Sequence, residues 1–321
     1  AYGWGRALLE DEAAGFGDEV SEDALPRYID PLNDWGFKRL FGTEMNKEFL
    51  VAFLMTIFPD KRIKDITYMP TEQLGMAAGD RNARFDVMCK DESGEKFIVE
   101  VQLAYQKHFR ERALYYSGMA LHSQGVKGRK WNYNIKGVYF VGLQNFAFGP
   151  ERGGGLIRRY SVRDDENGDL MTDKLRFVFI EIGRFDKGPD ELKTNLDKWF
   201  YVMKNLHRLL ERPAALVDRI FRRFFEAAEV ISLTKDEKQQ YVSNMINERD
   251  TYNQIAYARE FGREEGIKQG IKQGREQGLE QGKVAEREAI ALRMIGANTP
   301  IEFIVKCTGL DKAAVEALAK H

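Results

Sequence analysis

Two strand-forming runs separated by a short turn constrain this chain more than any other feature. Arg84-Phe-Asp-Val-Met-Cys-Lys90 and Lys96-Phe-Ile-Val-Glu-Val-Gln-Leu103 are rich in β-branched and aromatic residues, and Asp91-Glu-Ser-Gly-Glu95 between them has turn composition. With the turn centred near Ser93, antiparallel pairing places Asp86 opposite Glu100, their Cβ atoms roughly 4.5–5.5 Å apart. Gln102 follows Glu100 on the same face because strand side chains repeat every two residues. Phe85, Val87, Val99 and Val101 are expected on the opposite face, against the core.

Carboxylates set side by side repel unless they share a proton or a cation. A hard divalent ion takes oxygen ligands, and Mg²⁺ commonly uses one or two carboxylates with water and substrate phosphate completing its shell. Asp86, Glu100 and either Gln102 or the carbonyl of Val101 meet that requirement. The same spacing also suits an ordinary solvated strand face, so both readings stand at this point.

Around the hairpin, helix and strand signals alternate irregularly. Phe49, Leu50, Phe53, Leu54 and Ile57 recur at helical spacing behind Asn46, a suitable cap, and the run ends at Pro59. Strands are expected at Ile63–Tyr68, Ile135–Leu143, Tyr160–Arg163 and Phe177–Ile182, with a loop over Pro70–Asp80. Helices are expected over 107–124, 195–210, 214–228 and about 235–258. This order predicts an α/β sandwich around a mixed sheet rather than a regular βαβ array. Arg219, Arg222 and Arg223 on one of the later helices read as a phosphate-facing patch or as a solvated, ion-paired face.

The 49 Lys and Arg residues are balanced by 50 Asp and Glu, so the net charge of −1 gives no general attraction to nucleic acid, and any such affinity must be local. The two cysteines, Cys89 and Cys307, form neither a disulfide framework nor a zinc motif. With no basic-then-apolar leader and no apolar run of membrane length, a cytoplasmic protein without a membrane partner is expected.

The last quarter of the chain has its own organisation. Gly262, Gly266, Gly270, Gly274, Gly278 and Gly282 recur every four residues among Arg, Glu, Lys and Gln. On a helix this stripe drifts by about 40° per step, and six interior glycines cost roughly 5–6 kcal/mol relative to alanine. Helicity there calls for compensating packing, so the segment is either a close-contact association helix that pairs protomers or a fraying spacer. Beyond it, Thr299-Pro-Ile-Glu302 has the composition of a capped helix start, Gly309 a stop and Asp311 a second start, which predicts a small three-helix unit. The expected divisions are an arm over 1–27, the main α/β domain over 28–210, a helical extension over 211–258, the glycine-repeat helix over 259–290 and the terminal unit over 291–321.

Asp86 followed by Glu100-Val-Gln102 resembles the catalytic signature of the PD-(D/E)XK nuclease superfamily, with Gln in place of its usual Lys. Phe37-Lys-Arg-Leu-Phe-Gly42, Glu44, Asn46, Phe85-Asp-Val87, Val99-Glu-Val-Gln102 and Arg112-Ala-Leu-Tyr-Tyr116 are similar, more narrowly, to the PD-(D/E)XK family transposases and recombination-promoting nucleases. The resemblance covers about residues 35–210, and the glycine-repeat tail is similar too. It implies a restriction-endonuclease-like fold with an all-helical C-terminal extension, and Mg²⁺-dependent (alternatively Mn²⁺-dependent) hydrolysis of DNA.

Residue by residue, it implies Asp86 and Glu100 as metal ligands with Val101, Glu44 as a first-helix acid and Gln102 at the catalytic Lys position. Arg112 and Tyr116, one helical turn apart, are candidates for phosphate contact. No Pro precedes Asp86 where the motif has one, since Pro70 is too distant. Gln102 is neutral and cannot perform the charged role of a lysine. A catalytically weakened DNA-binding or regulatory protein, or an assembly protein using its tail, are therefore the alternatives.

Overall fold

In the computed structural model, residues 25–73, 83–104, 106–127, 131–146 and 155–319 are described. The expected arm lies almost entirely outside them, as does most of the expected loop before Asp80. By residue contacts the chain divides into two units, 1–249 and 250–321.

The first unit is built on a six-stranded mixed sheet. Its strands are β1 (Ile66–Tyr68), β4 (Val87–Asp91), β5 (Lys96–Gln102), β6 (Val138–Gln144), β7 (Ile157–Arg163) and β8 (Leu170–Glu181), in the order β1-β4-β5-β6-β8-β7. β5, β6 and β8 run parallel, and the outer pairings are antiparallel. β6 is buried at every residue, as a central strand covered on both faces must be.

Helices cover both faces. On one lie α1 (Asp34–Phe41), α2 (Lys47–Ile57), α4 (Asn195–Asn205) and α5 (Arg219–Ala228), whose Phe37, Phe41, Phe53, Trp199 and Phe224 join Val99, Val141 and Val178 of the sheet in one core. On the other lies α3 (Phe109–His122), which buries Phe109, Ala113 and Ala120 against Ile98, Phe140 and Phe179. The architecture is the restriction-endonuclease-like sandwich that the resemblance implied.

Gly142 lets α3 approach. A Cβ there would stand 2.9 Å from Phe179 and 3.0 Å from the Phe109 ring, so any side chain at this point, beside Glu100 on β5, would push the helix off the sheet.

Several expectations need correction. Arg84–Lys90 is not one strand: β2 (Glu72–Gln73) and β3 (Ala83–Arg84) form a separate ribbon, and the chain bends through Phe85 and Asp86 before β4 begins. The bend reverses parity, so Phe85 packs beneath α3 with its ring edge-on to Tyr116 instead of sharing the face of Val87 and Val99. Asn46 stands at the start of α2, but its amide donates to the Arg39 carbonyl and caps no helical N–H. The later arginine face is partly ion-paired, Arg223 to Glu48 at 2.6 Å.

The helix expected over 235–258 instead continues as α6 (Lys235–Gly296), through all six repeat glycines. Within the first unit, one face of α6 ties down α1. Glu248 Oε1 accepts from Asp34 N (3.0 Å), Asn244 Oδ1 from Trp35 N (3.3 Å), and Asn33 Oδ1 caps Gly36 N (3.1 Å). These bonds satisfy the otherwise orphaned N–H groups of α1's first turn. Gly36 is required there, because a Cβ would fall 2.1 Å from the Asp30 carbonyl oxygen.

In the second unit, a Cβ placed on any of the six repeat glycines meets nothing within 4 Å, and Ile267, Ile271 and Leu279 are exposed. The terminal unit follows the expected three-helix pattern. Ala291 of α6, Ile304 of α7 (Ile301–Thr308) and Val315 of α8 (Lys312–Leu318) form its core, and Asp311 caps α8 through Ala314 N at 2.7 Å. Thr299 does not cap α7, whose start at Pro300 has no side-chain cap. Among the described residues no helix is long and apolar enough to cross a membrane.

Phe41 is fully buried between the rings of Phe37, Phe53, Trp199 and Phe224, at 5.0, 6.0, 5.9 and 5.4 Å. Phe41→Ala is expected to destabilise the first unit by about 3–5 kcal/mol, read as a lowered denaturation midpoint at unchanged slope.

Candidate active site

The hairpin register is the one expected from the turn: Val87 pairs with Val99 and Met88 with Ile98, which brings Asp86 to Glu100. Each side chain accepts a main-chain N–H from the facing segment. Val101 N donates to Asp86 Oδ2 at 2.8 Å, and Asp86 N donates to Glu100 Oε1 at 3.1 Å. The bend at Phe85 and Asp86 is thus held by side-chain acceptors in place of ladder bonds.

Glu100 is 4% exposed, and the Asp86 side chain 19%. Burial pushes the Asp86 carboxyl up to about 6, the negative charge of Asp34 adds to the rise, and the Val101 N–H and Lys38 oppose it. Glu100 is pushed up to about 8, first by burial and then by the charge of Asp86, against the pull of Arg112 and Lys38. The pair therefore carries negative charge that its surroundings only partly compensate.

α3 supplies the next contacts. Arg112 donates through one Nη to Gln102 Oε1 at 2.8 Å and through the other to Gln106 Oε1 at 2.6 Å, and it stands 3.6 Å from Glu100 Oε2. A guanidinium has only donors, so the Gln102 end facing Arg112 is the carbonyl, which leaves the amide nitrogen as the end that Arg112 does not engage. The Arg112 guanidinium lies 4.9 Å from the Phe109 ring centre and 6.0 Å from that of Tyr116. Tyr116 thus stands beside Arg112 and Phe85.

Glu44 lies exposed in a short 3-10 turn, Glu44–Asn46, with Lys47 Nζ 3.8 Å from its carboxylate. α1 instead brings two residues to which the sequence reading assigned no role. Lys38 Nζ is 2.7 Å from Asp34 Oδ1 and 3.8 Å from Asp86 Oδ1, and Asp34 acts electrostatically on Asp86. The available signal was the Asp34–Lys38 spacing of one helical turn behind the Asn33 cap.

Among the described residues, no three His, Cys, Asp or Glu side chains form a cluster that could hold a metal ion. The donors present are two carboxylates, Asp86 and Glu100, with the backbone of Val101 between Glu100 and Gln102. An under-compensated carboxylate pair of this kind suits a hard cation whose remaining ligands are water and phosphate, so the donor chemistry fits Mg²⁺ or Mn²⁺.

A family model described as PD-(D/E)XK nuclease family transposase matches residues 31–258. No curated protein and no solved structure matches the chain.

Because burial raises both carboxyls of the Asp86–Glu100 pair, the folded state keeps a proton on the pair that the unfolded chain releases, so the associated stability is present below the ordinary carboxylate range and is lost as pH rises through the raised values of the pair. In thermal melts with chelator, the melting temperature of wild type should fall relative to that of Glu100→Gln across this window. Parallel curves for the two proteins would contradict the placement.

Proposed function

The chain belongs to the PD-(D/E)XK nuclease family transposases, and on that premise we propose that it hydrolyses DNA phosphodiester bonds with a divalent metal, Mg²⁺ or Mn²⁺, in mobile-element or recombination biology. The observation that carries this reading is the side-by-side placement of Asp86 and Glu100, whose carboxylates accept the backbone N–H groups of Val101 and Asp86 respectively. In the reaction water adds across one P–O ester bond: its oxygen goes to phosphorus, and a proton goes to the departing oxygen. A cation held by Asp86, Glu100 and the Val101 carbonyl would polarise the phosphate and acidify the water. The remaining work falls to the chain's own donors. Gln102 offers its amide nitrogen to the phosphate or the water, and Arg112, backed by Tyr116, supports it by binding the Gln102 carbonyl.

Purified protein is expected to cut DNA with Mg²⁺ or Mn²⁺ and not with chelator. Asp86→Ala and Glu100→Ala should each lose most of the cleavage while circular dichroism shows the fold retained. Undiminished metal-dependent cutting by both variants would remove the assignment. A second reading, a DNA-binding or regulatory module with weakened catalysis, is favoured by the neutral Gln102. It expects DNA binding that weakens with salt in the absence of turnover.

The tail supports an assembly role. Its repeat glycines open a narrow approach surface beside exposed Ile267, Ile271 and Leu279, and the helix-propensity cost of those glycines is met by packing a second copy of the chain. Light scattering on size-exclusion fractions should show a dimer or larger species that shifts toward monomer when residues 259–321 are removed. A wild-type monomer at all concentrations would rule out the assembly.

A further inference from the structure

Hydrolysis of a phosphodiester places growing negative charge on oxygens that here would face an acidic site, formed by Asp34, Asp86 and Glu100. The residue at the end of β5 where a lysine would neutralise that charge is Gln102, which is neutral. Among the described residues, two cations reach the site. Arg112 is largely spent: its two terminal nitrogens are bonded to Gln102 and Gln106, its plane lies over Phe109, and its Nε is buried without a partner. Lys38 is differently placed. Its side chain is 41% exposed, and its ammonium bridges Asp34, at 2.7 Å, and Asp86, at 3.8 Å.

Lys38 is also carried on a rigid support. Phe37, Leu40 and Phe41 bury the inner face of α1, and Glu248, Asn244 and Asn33 fix its first turn. An ammonium has three donors on a flexible stem, so one can reach a phosphate oxygen while another remains with Asp34.

We infer that Lys38 supplies, from the first helix, the positive charge that Gln102 lacks, contacting a non-bridging oxygen of the scissile DNA phosphate as its charge grows in the transition state. This rests on the nuclease reading above. Lys38 is then a catalytic residue, forming no covalent bond and exchanging no proton. Arg112 holds the Gln102 amide so that the motif position contributes a neutral donor beside it.

The test is steady-state cleavage of duplex DNA with Mg²⁺ by the full chain and by Lys38→Gln, Lys38→Arg and Lys38→Gln/Gln102→Lys, with melting temperatures and metal-free DNA binding measured in parallel. Lys38→Gln keeps a donor for Asp34 but removes the charge, and should lower kcat about 100-fold or more. KM and metal-free binding should stay within about threefold, because the contact strengthens only in the transition state. Lys38→Arg should retain more activity than Lys38→Gln. Returning the charge at the motif position in the double variant should recover at least about tenfold of the loss, which a merely structural role for Lys38 would not allow.

Lys38→Gln cutting at the wild-type kcat overturns the inference while leaving the nuclease reading intact. So does a folded double variant no faster than Lys38→Gln. If Lys38→Gln melts early, Lys38→Arg decides, since loss of activity in that variant at wild-type stability also overturns the inference. A wild type that cuts nothing with Mg²⁺ or Mn²⁺ defeats the nuclease reading, and this inference with it.

Discussion

The exchange of backbone hydrogen bonds between Asp86 and the end of β5 is the interaction on which the arrangement of the site depends. A carboxylate accepting a main-chain N–H from the neighbouring strand does the work of a ladder bond while leaving its second oxygen to a cation, Asp86 Oδ1 near Lys38 and Glu100 Oε2 near Arg112. It permits the chain to leave the sheet at Phe85, and so lets one short segment serve both the α3 core and the polar site. The cost is electrostatic: two acids are held together in a poorly hydrated place, which raises the pKa of both carboxyls.

That cost is moderated from opposite sides of the sheet. Arg112 approaches from α3 and Lys38 from α1, so the charge balance of the site is a property of the whole sandwich and not of the hairpin. The position of Lys38 depends in turn on the N-terminal part of α6, where Glu248 and Asn244 complete the first turn of α1. Residues some two hundred positions downstream thereby belong to the support of the site, within the span, 31–258, that the family model matches.

What could be read from the sequence divides along physical lines. The hairpin register was legible because strand alternation and a compact turn leave few pairings open, and β6 was legible as an uninterrupted apolar run. The bend at Phe85 was not, because side-chain bonds to a partner strand stabilise it and no local propensity signals them. Asp34 and Lys38 were visible as a pair one helical turn apart, but their destination is set by how α1 seats on the sheet, a long-range fact. The glycine-repeat segment was legible as helical from its spacing, but not that it continues without a break from the helix before it, so that Lys235–Gly296 is one element.

Gly142 gives the fold an unexpected point of leverage. The atom it lacks is what lets Phe109 rest against the sheet, and Phe109 is the platform beneath the guanidinium of Arg112. The spacing between helix and sheet is thus calibrated by a residue with no polar side chain and no part in the chemistry. A single methyl group there would act as a shim, tilting the platform and withdrawing Arg112 from Gln102 while every residue of the catalytic signature stayed in place. The acidic motif alone is therefore an incomplete gauge of whether a relative of this chain keeps this arrangement of the site. The width of the seam under its third helix belongs in that judgement as well.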